Sequence, residues 1–310
     1  MRIDKKTKFI IYFQRTKKLP PFELELILAH LLKKSREYVL THPEIKLSPT
    51  QLKRLDAMLK RREKGESLAY ILGHKEFYGF DFIVNKHTLV PRPETELIVD
   101  EVLELAKEKN IHGNKKFAII DVGTGSGCII ISLAKMLMEK NKTADIQFFA
   151  ADISKLALNI AKKNAKHNNV ANKIKFYHGN LLEPIIKLKS NHNHLSQNQK
   201  IIITANLPYL TPKQIKTSPS IKHEPRLALE AGIDGLKYYR ELFQQLRSML
   251  TVNGIQARAS VHVFCEIDPG QKISIQRLAK KILPSAQVQI KKDLRGHSRL
   301  AVIKLGDFTK

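Results

Sequence analysis

The feature that most constrains this sequence is an apolar strand that runs into a glycine-rich turn and out into a helix. Residues 117–122 are apolar and β-rich, Asp121-Val122-Gly123-Thr124-Gly125-Ser126-Gly127 makes the turn, and residues 129–137 read as the helix. The alternation then repeats. Strands are predicted at 146–151, 174–177, 201–204 and 259–267, with helices at 156–165 and 238–250. A helix at 273–282 and strands at 286–290 and 300–305 close the chain. Strands joined through helices run parallel, with helices on both faces of the sheet. The expected fold class is therefore α/β, with a doubly wound, mainly parallel sheet. The last two strands are close in sequence, so one is expected as an antiparallel edge.

Nothing of this kind precedes residue 73. Leu24, Ile27, Leu28, Leu31 and Leu32 repeat at helical spacing. A second helix starts cleanly: Ser48 can cap, Pro49 suits the first turn and Gln51 completes a capping box. Leu52, Leu55, Met58 and Leu59 then form one stripe, with no acid–base cluster nearby. Residues 1–73 are read as a small helical domain for docking. Residues 74–90 are read as a hairpin-like linker, because Phe77-Tyr78-Gly79-Phe80-Asp81-Phe82-Ile83-Val84 suits two short strands around a glycine. Residues 91–310 carry the sheet.

Composition narrows the partners. The 310 residues include 54 Lys and Arg against 29 Asp and Glu, a formal net charge of +25. That balance suits a polyanion such as RNA, or equally a lysine-rich solvated surface, since the lysines are scattered. Two cysteines, Cys128 and Cys265, sit in apolar runs and suit buried free thiols, so a disulfide scaffold is excluded. With no run of 18 apolar residues and no secretory signal, no membrane span is expected and the cytoplasm is the expected compartment. The polar stretch around His192 and His194, at 187–200, is read as a surface loop, and no metal is required.

The turn and its neighbours carry the chemistry. Gly123, Gly125 and Gly127 let the backbone bend sharply and a ligand approach closely. The spacing is neither that of a phosphate-loop ATPase nor a full dinucleotide fingerprint. Asp121, Thr124 and Ser126 complete the segment, and Asp152 ends the second strand beside it. A carboxylate there can hold both hydroxyls of a ribose, or cap the helix that begins near Ser154. Asn180 ends the third strand and offers a donor and an acceptor to an adenine. The fourth strand runs into Asn206-Leu207-Pro208-Tyr209. The Asn206 side chain and the Leu207 carbonyl are two acceptors that can grip a planar NH2, Pro208 keeps Leu207 extended, and Tyr209 can pack on the group. Such a site works by positioning and electrostatics and needs no general base.

Taken together, the glycine turn, Asp152 and Asn206-Leu207-Pro208-Tyr209 resemble a class I methyltransferase acting on a planar NH2. Phe77-Tyr78-Gly79, Pro91-Arg92-Pro93-Glu94-Thr95-Glu96 and Glu224-Pro225-Arg226-Leu227-Ala228-Leu229 resemble the peptide chain release factor N5-glutamine methyltransferase family, as do Tyr238, Arg240 and the stretch from Asp293 to Arg299. The resemblance covers roughly residues 15–308. It implies S-adenosylmethionine as cofactor, held by Asp121, Gly123, Thr124, Gly125, Ser126, Gly127, Asp152 and Asn180. It implies catalysis at Asn206, Leu207, Pro208 and Tyr209, with Glu224 and Arg226 joining them in substrate binding. The implied substrate is the glutamine of the Gly-Gly-Gln loop in class 1 release factors, with the helical domain docking them and ribosomal RNA in indirect proximity.

Three departures stand out. The family turn is normally Asn-Pro-Pro-Tyr, and Leu207 replaces its first proline. Asn180 stands where an Asp is usual, and the loop before residue 201 is long. Asn-Leu-Pro-Tyr also resembles the turn of ribosomal RNA adenine N6-dimethyltransferases, which the basic charge would suit. A non-catalytic nucleotide-binding protein is the remaining alternative.

Overall fold

The computed structural model describes residues 19–108, 117–140, 145–189, 200–252 and 260–306. They fall into two compact units. One holds the residues up to His74 together with Ser218–His223, and the other holds Lys75–Thr217 and Glu224–Lys310. The polar stretch at 190–199, with His192 and His194, lies outside the described residues.

The first unit is helical: α1 (Pro21–Leu32), α2 (Arg36–Thr41), α3 (Pro49–Glu63) and α4 (Leu68–Leu72). Leu24, Ile27 and Leu28 of α1 meet Val39, Leu55 and Leu59 in one buried cluster. The capping box forms in both directions. The Ser48 hydroxyl accepts from the Gln51 amide at 3.2 Å, and the Gln51 side chain accepts from the Ser48 amide at 2.8 Å. Arg62 grips Glu23 with two bonds of 2.6 and 2.8 Å, which ties α3 back to α1. His223 joins this unit with its ring 2.9 Å from the Lys64 carbonyl.

The second unit opens with β1 (His74–Phe77) and β2 (Phe80–Ile83), a two-stranded hairpin. Tyr78 and Gly79 between them have φ of 53° and 75°, the left-handed pair that a tight two-residue turn demands. Phe77 and Phe82 enter the core of the sheet unit. The main sheet holds β3 (Phe117–Val122), β4 (Ile146–Asp152), β5 (Ile174–His178), β6 (Lys200–Ala205), β7 (Val261–Glu266), β8 (Gln287–Lys292) and β9 (Ser298–Leu305). Their order is β5-β4-β3-β6-β7-β9-β8, with β3 to β7 parallel. Every residue of β3 is buried. Ala118, Ile120 and Val122 face one cluster while Phe117 and Ile119 face the other, as the two-residue period requires.

Helices cover both faces. α5 (Glu96–Glu108), α6 (Cys128–Lys140) and α7 (Lys155–His167) contribute to one core. α8 (Glu183–Lys189), α10 (Lys237–Val252) and α11 (Lys272–Ile282) contribute to the other, and α9 (Pro212–Thr217) is short and has no buried residue. Cys128 and Cys265 are buried free thiols. Of the last two strands, β8 is the edge and pairs antiparallel with β9, as sequence proximity suggests. β9 pairs antiparallel with β7 on one side and β8 on the other, so it lies inside the sheet. Its Leu300-Ala301-Val302-Ile303 run is fully buried, whereas β8 is half-exposed and ends in Lys291-Lys292, residues suited to a sheet edge. No described helix is long and apolar enough to cross a membrane.

Candidate active site

The strand order reverses at β3: β4 and β5 lie on one side of it, β6 and β7 on the other. A crevice at the carboxyl ends of the strands is where such sheets bind ligands. A cavity opens there, lined by Gly123, Gly125, Asp152, Asn180, Asn206, Leu207 and Pro208 among others. The glycine turn, the end of β4 and the turn after β6 thus share one wall, although they are up to 85 positions apart in sequence.

The turn is held from below. Asp121 is buried and accepts from the hydroxyls of Thr124 at 2.6 Å and Thr204 at 2.8 Å. Burial pushes its pKa up to about 7, and the two hydroxyls oppose the shift. Gly123 has φ of 68°, and a Cβ there would stand 2.8 Å from the Leu207 side chain. Behind the turn, the Asn164 amide donates to the Ser126 carbonyl at 2.8 Å and to the Ile83 carbonyl at 2.9 Å. It also accepts from the Ile83 amide at 2.7 Å, so one buried side chain joins α7, the turn and β2.

Asp152 ties the glycine turn to the end of β4 and lines the cavity. Its carboxylate accepts from the Gly125 amide and the Ser154 amide, each at 2.8 Å. The helix cap proper is Ser154, whose hydroxyl accepts from the Ala157 amide. Burial raises the Asp152 pKa against those two bonds. Asn180 lines the cavity and donates to Glu241.

The turn after β6 is braced by Thr95 and Glu266. Asn206 Nδ2 donates to Thr95 Oγ1 at 3.0 Å, and Thr95 in turn donates to Glu266 Oε2 at 2.6 Å. The Tyr209 hydroxyl donates to Glu266 Oε1 at 3.3 Å, and the Tyr239 hydroxyl donates to the Glu266 carbonyl. Tyr209 therefore turns its hydroxyl toward Glu266 and is not among the cavity-lining residues, while Tyr238 is. Burial pushes the Tyr239 phenol well above its usual range, and the Leu207 amide opposes that shift, an N–H that a proline would lack.

Of the residues read from sequence, Gly123, Gly125, Asp152, Asn180, Asn206, Leu207 and Pro208 come together at the cavity. Asp121, Thr124 and Ser126 are buried beneath it, and Gly127 starts α6 against Ile131 and Ala161. Glu224 is spent elsewhere: its buried carboxylate pairs with Arg92 and accepts from the Val90 amide. Arg226 is exposed and pairs with Glu230. Neither lines the cavity, but their neighbours Pro225, Leu227 and Ala228 do. Lys86, His87, Thr88 and Leu89 form a further stretch of wall that carries no recognisable motif. Thr95 and Glu266 had a signal, namely a hydroxyl inside the Pro-Arg-Pro-Glu-Thr-Glu string and an acid ending a wholly buried strand. Neither His178 nor His262 lines the cavity.

Comparison with known proteins decides the family. Residues 13–73 match the model of the PrmC N-terminal domain, and residues 113–256 match that of a methyltransferase domain. The release factor glutamine methyltransferase of Coxiella burnetii is 36% identical over 93% of each chain. That of Bacillus cereus is 32% identical over 91% of each chain. The chain belongs to the release factor glutamine methyltransferase family. It is also 33% identical to the bifunctional methyltransferase of Rickettsia bellii, of which it spans 51%. Among solved structures, the human Mettl16 catalytic domain in complex with an RNA hairpin superposes over 95% of each chain with a TM-score of 0.51. At 16% identity that match speaks for the fold alone. As a family member with a methyltransferase domain, the chain is a methyltransferase, and the cavity at the strand ends is its candidate centre.

Proposed function

We propose that this enzyme transfers a methyl group from S-adenosylmethionine to the side-chain amide nitrogen, N5, of the glutamine in the Gly-Gly-Gln loop of class 1 release factors. The observation that carries the reading is Asn206. Its Nδ2 is committed to Thr95, which leaves Oδ1 as the acceptor available at the cavity wall. The Leu207 carbonyl supplies the second acceptor. Two acceptors suit the two hydrogens of a carboxamide, orient its nitrogen and favour localisation of its lone pair.

The cofactor suits the residues present. A Cβ added at Gly125 would find nothing nearer than the Gly123 carbonyl oxygen at 3.9 Å, so a ligand can lie directly on the turn. Asp152 retains lone pairs for ribose hydroxyls, Asn180 suits an adenine edge, and Ile153 and Leu181 offer apolar contact. Asp121, Thr124, Ser126 and Gly127 support the cradle from beneath. When bound, S-adenosylmethionine supplies an electrophilic sulfonium methyl. The protein's part is to align the amide and exclude competing orientations. The amide proton leaves to solvent, so no side chain need act as base. Pro208 and Tyr209 hold the turn, and Glu224 and Arg226 would meet the substrate beside Pro225, Leu227 and Ala228, which line the cavity.

The helical unit is the proposed docking module, the cytoplasm the proposed compartment, and the surplus of basic charge an aid to working near ribosomal RNA. Incubating enzyme and cofactor with a class 1 release factor and, separately, with ribosomal RNA tests the reading by mass spectrometry. A methyl on the loop glutamine is expected. Label on adenine and none on glutamine would make this an RNA amine methyltransferase.

A further inference from the structure

We propose that Glu266 and Thr95 are positioning residues that fix which end of the Asn206 carboxamide faces the cavity, an inference that rests on the glutamine reading above. The argument is one of hydrogen-bond counting. A threonine hydroxyl has one hydrogen and two lone pairs, and an ionised carboxylate only accepts. Glu266 is almost fully buried at the end of β7, and Thr95 is equally buried in the short turn before α5. With Glu266 ionised, the Thr95 hydrogen must go to Glu266, at 2.6 Å. The Thr95 oxygen can then only accept, so Asn206 must present its NH2 to it, at 3.0 Å. The far end of the amide, Oδ1, is thereby set as the acceptor. The Tyr209 hydroxyl, at 3.3 Å from the other Glu266 oxygen, keeps that carboxylate from turning away.

The reverse state shows why the charge matters. A protonated Glu266 can donate to Thr95, which frees the Thr95 hydrogen to bond Asn206 Oδ1. The amide then turns over and offers its NH2 to an incoming NH2, where two donors repel. Several groups act on Glu266. Burial pushes its pKa up to about 6, and Glu94 adds to the shift. The Thr95 and Tyr209 hydroxyls and the Arg299 charge oppose it. Tyr239 engages its backbone carbonyl, and the Cys128 thiol, pushed up to about 12, stays neutral. The relay is thus set above about pH 6 and reverses below it.

The test uses the full-length enzyme with S-adenosylmethionine and a purified class 1 release factor. Turnover, KM, cofactor Kd by calorimetry and melting temperature are measured together. Thr95→Val keeps the shape and removes the relay. It should lower kcat roughly 10–100-fold, as loss of reactant alignment does, with cofactor Kd unchanged. Thr95→Ser should restore most of the rate. In wild type kcat should fall as pH drops through about 6, and Glu266→Gln should abolish that acid limb. On an Asn206→Ala background Thr95→Val should cost nothing further, since the two act as one unit. An unchanged acid limb in Glu266→Gln, or wild-type kcat in a folded Thr95→Val, overturns the relay. Full activity of Asn206→Ala overturns it as well, whereas a wild-type enzyme that leaves the loop glutamine unmethylated sinks the glutamine reading instead, which keeps the two failures distinct.

Discussion

The two units are held together by different physics. The helical unit has a single small cluster built on Leu24, Ile27, Leu28, Val39, Leu55 and Leu59, supplemented by a capping box and by the Arg62–Glu23 and Arg61–Glu66 pairs near its surface. The sheet unit has two cores, one on each face of seven strands, and places carboxylates inside them. A small core leaves little margin, so local interactions carry a larger share of stability. The sheet unit has margin enough to keep Asp121 and Glu266 buried in working positions. One unit therefore suits recognition by shape and charge, and the other can hold a preorganised site.

Hollowing out the smaller core should separate the two units most strongly. Leu55→Ala should cost about 2–5 kcal/mol, the usual range for a buried leucine. Methylation of an intact release factor should drop chiefly through KM, with cofactor affinity kept. Loss of cofactor binding in step with methylation would show that the units do not divide the work this way.

A smaller effect is a difference in pH response. The Asp121 pKa is raised to about 7 in the folded state, above its unfolded value. Its contribution is fully present below about pH 4 and is lost as pH rises through about 7. Glu66 behaves oppositely: its hydrogen bond to Arg61 lowers its pKa, so its contribution is lost as pH falls. Since that pair is partly exposed, its effect is modest. The melting temperature of Asp121→Asn relative to wild type should therefore rise between pH 5 and 8. A constant difference across that range would mean that Asp121 does not change its charge on folding.

The sheet was legible because buried parallel strands leave continuous apolar runs, as in Phe117–Val122, and because the glycine turn marks where a strand meets a helix. Ser48 and Gln51 announced their helix for a similarly local reason. The place of β9 was not legible, because only pairing reveals that it inserts between β7 and β8. Asn206 and Asp152 could be picked out by position after a strand. Thr95 and Glu266 lie 171 positions apart and acquire meaning only through their hydrogen bond. Glu224 was visible as part of a motif, but its chemistry was not, since burial against Arg92 decides what it does.

On the proposed function, Asn206 orients the reacting amide without helping to hold the cofactor. Single-turnover methylation of a release factor by Asn206→Ala, with calorimetry of S-adenosylmethionine on the same preparation, tests this most directly. By analogy with removal of one oxyanion-hole donor, the rate should fall about 10²–10³-fold. The cofactor dissociation constant should stay within about twofold of wild type, because a change near RT is all that a residue outside the cofactor contacts should cause. A folded variant that methylates the glutamine at the wild-type rate, or that loses cofactor affinity in proportion to its rate, would contradict the claim.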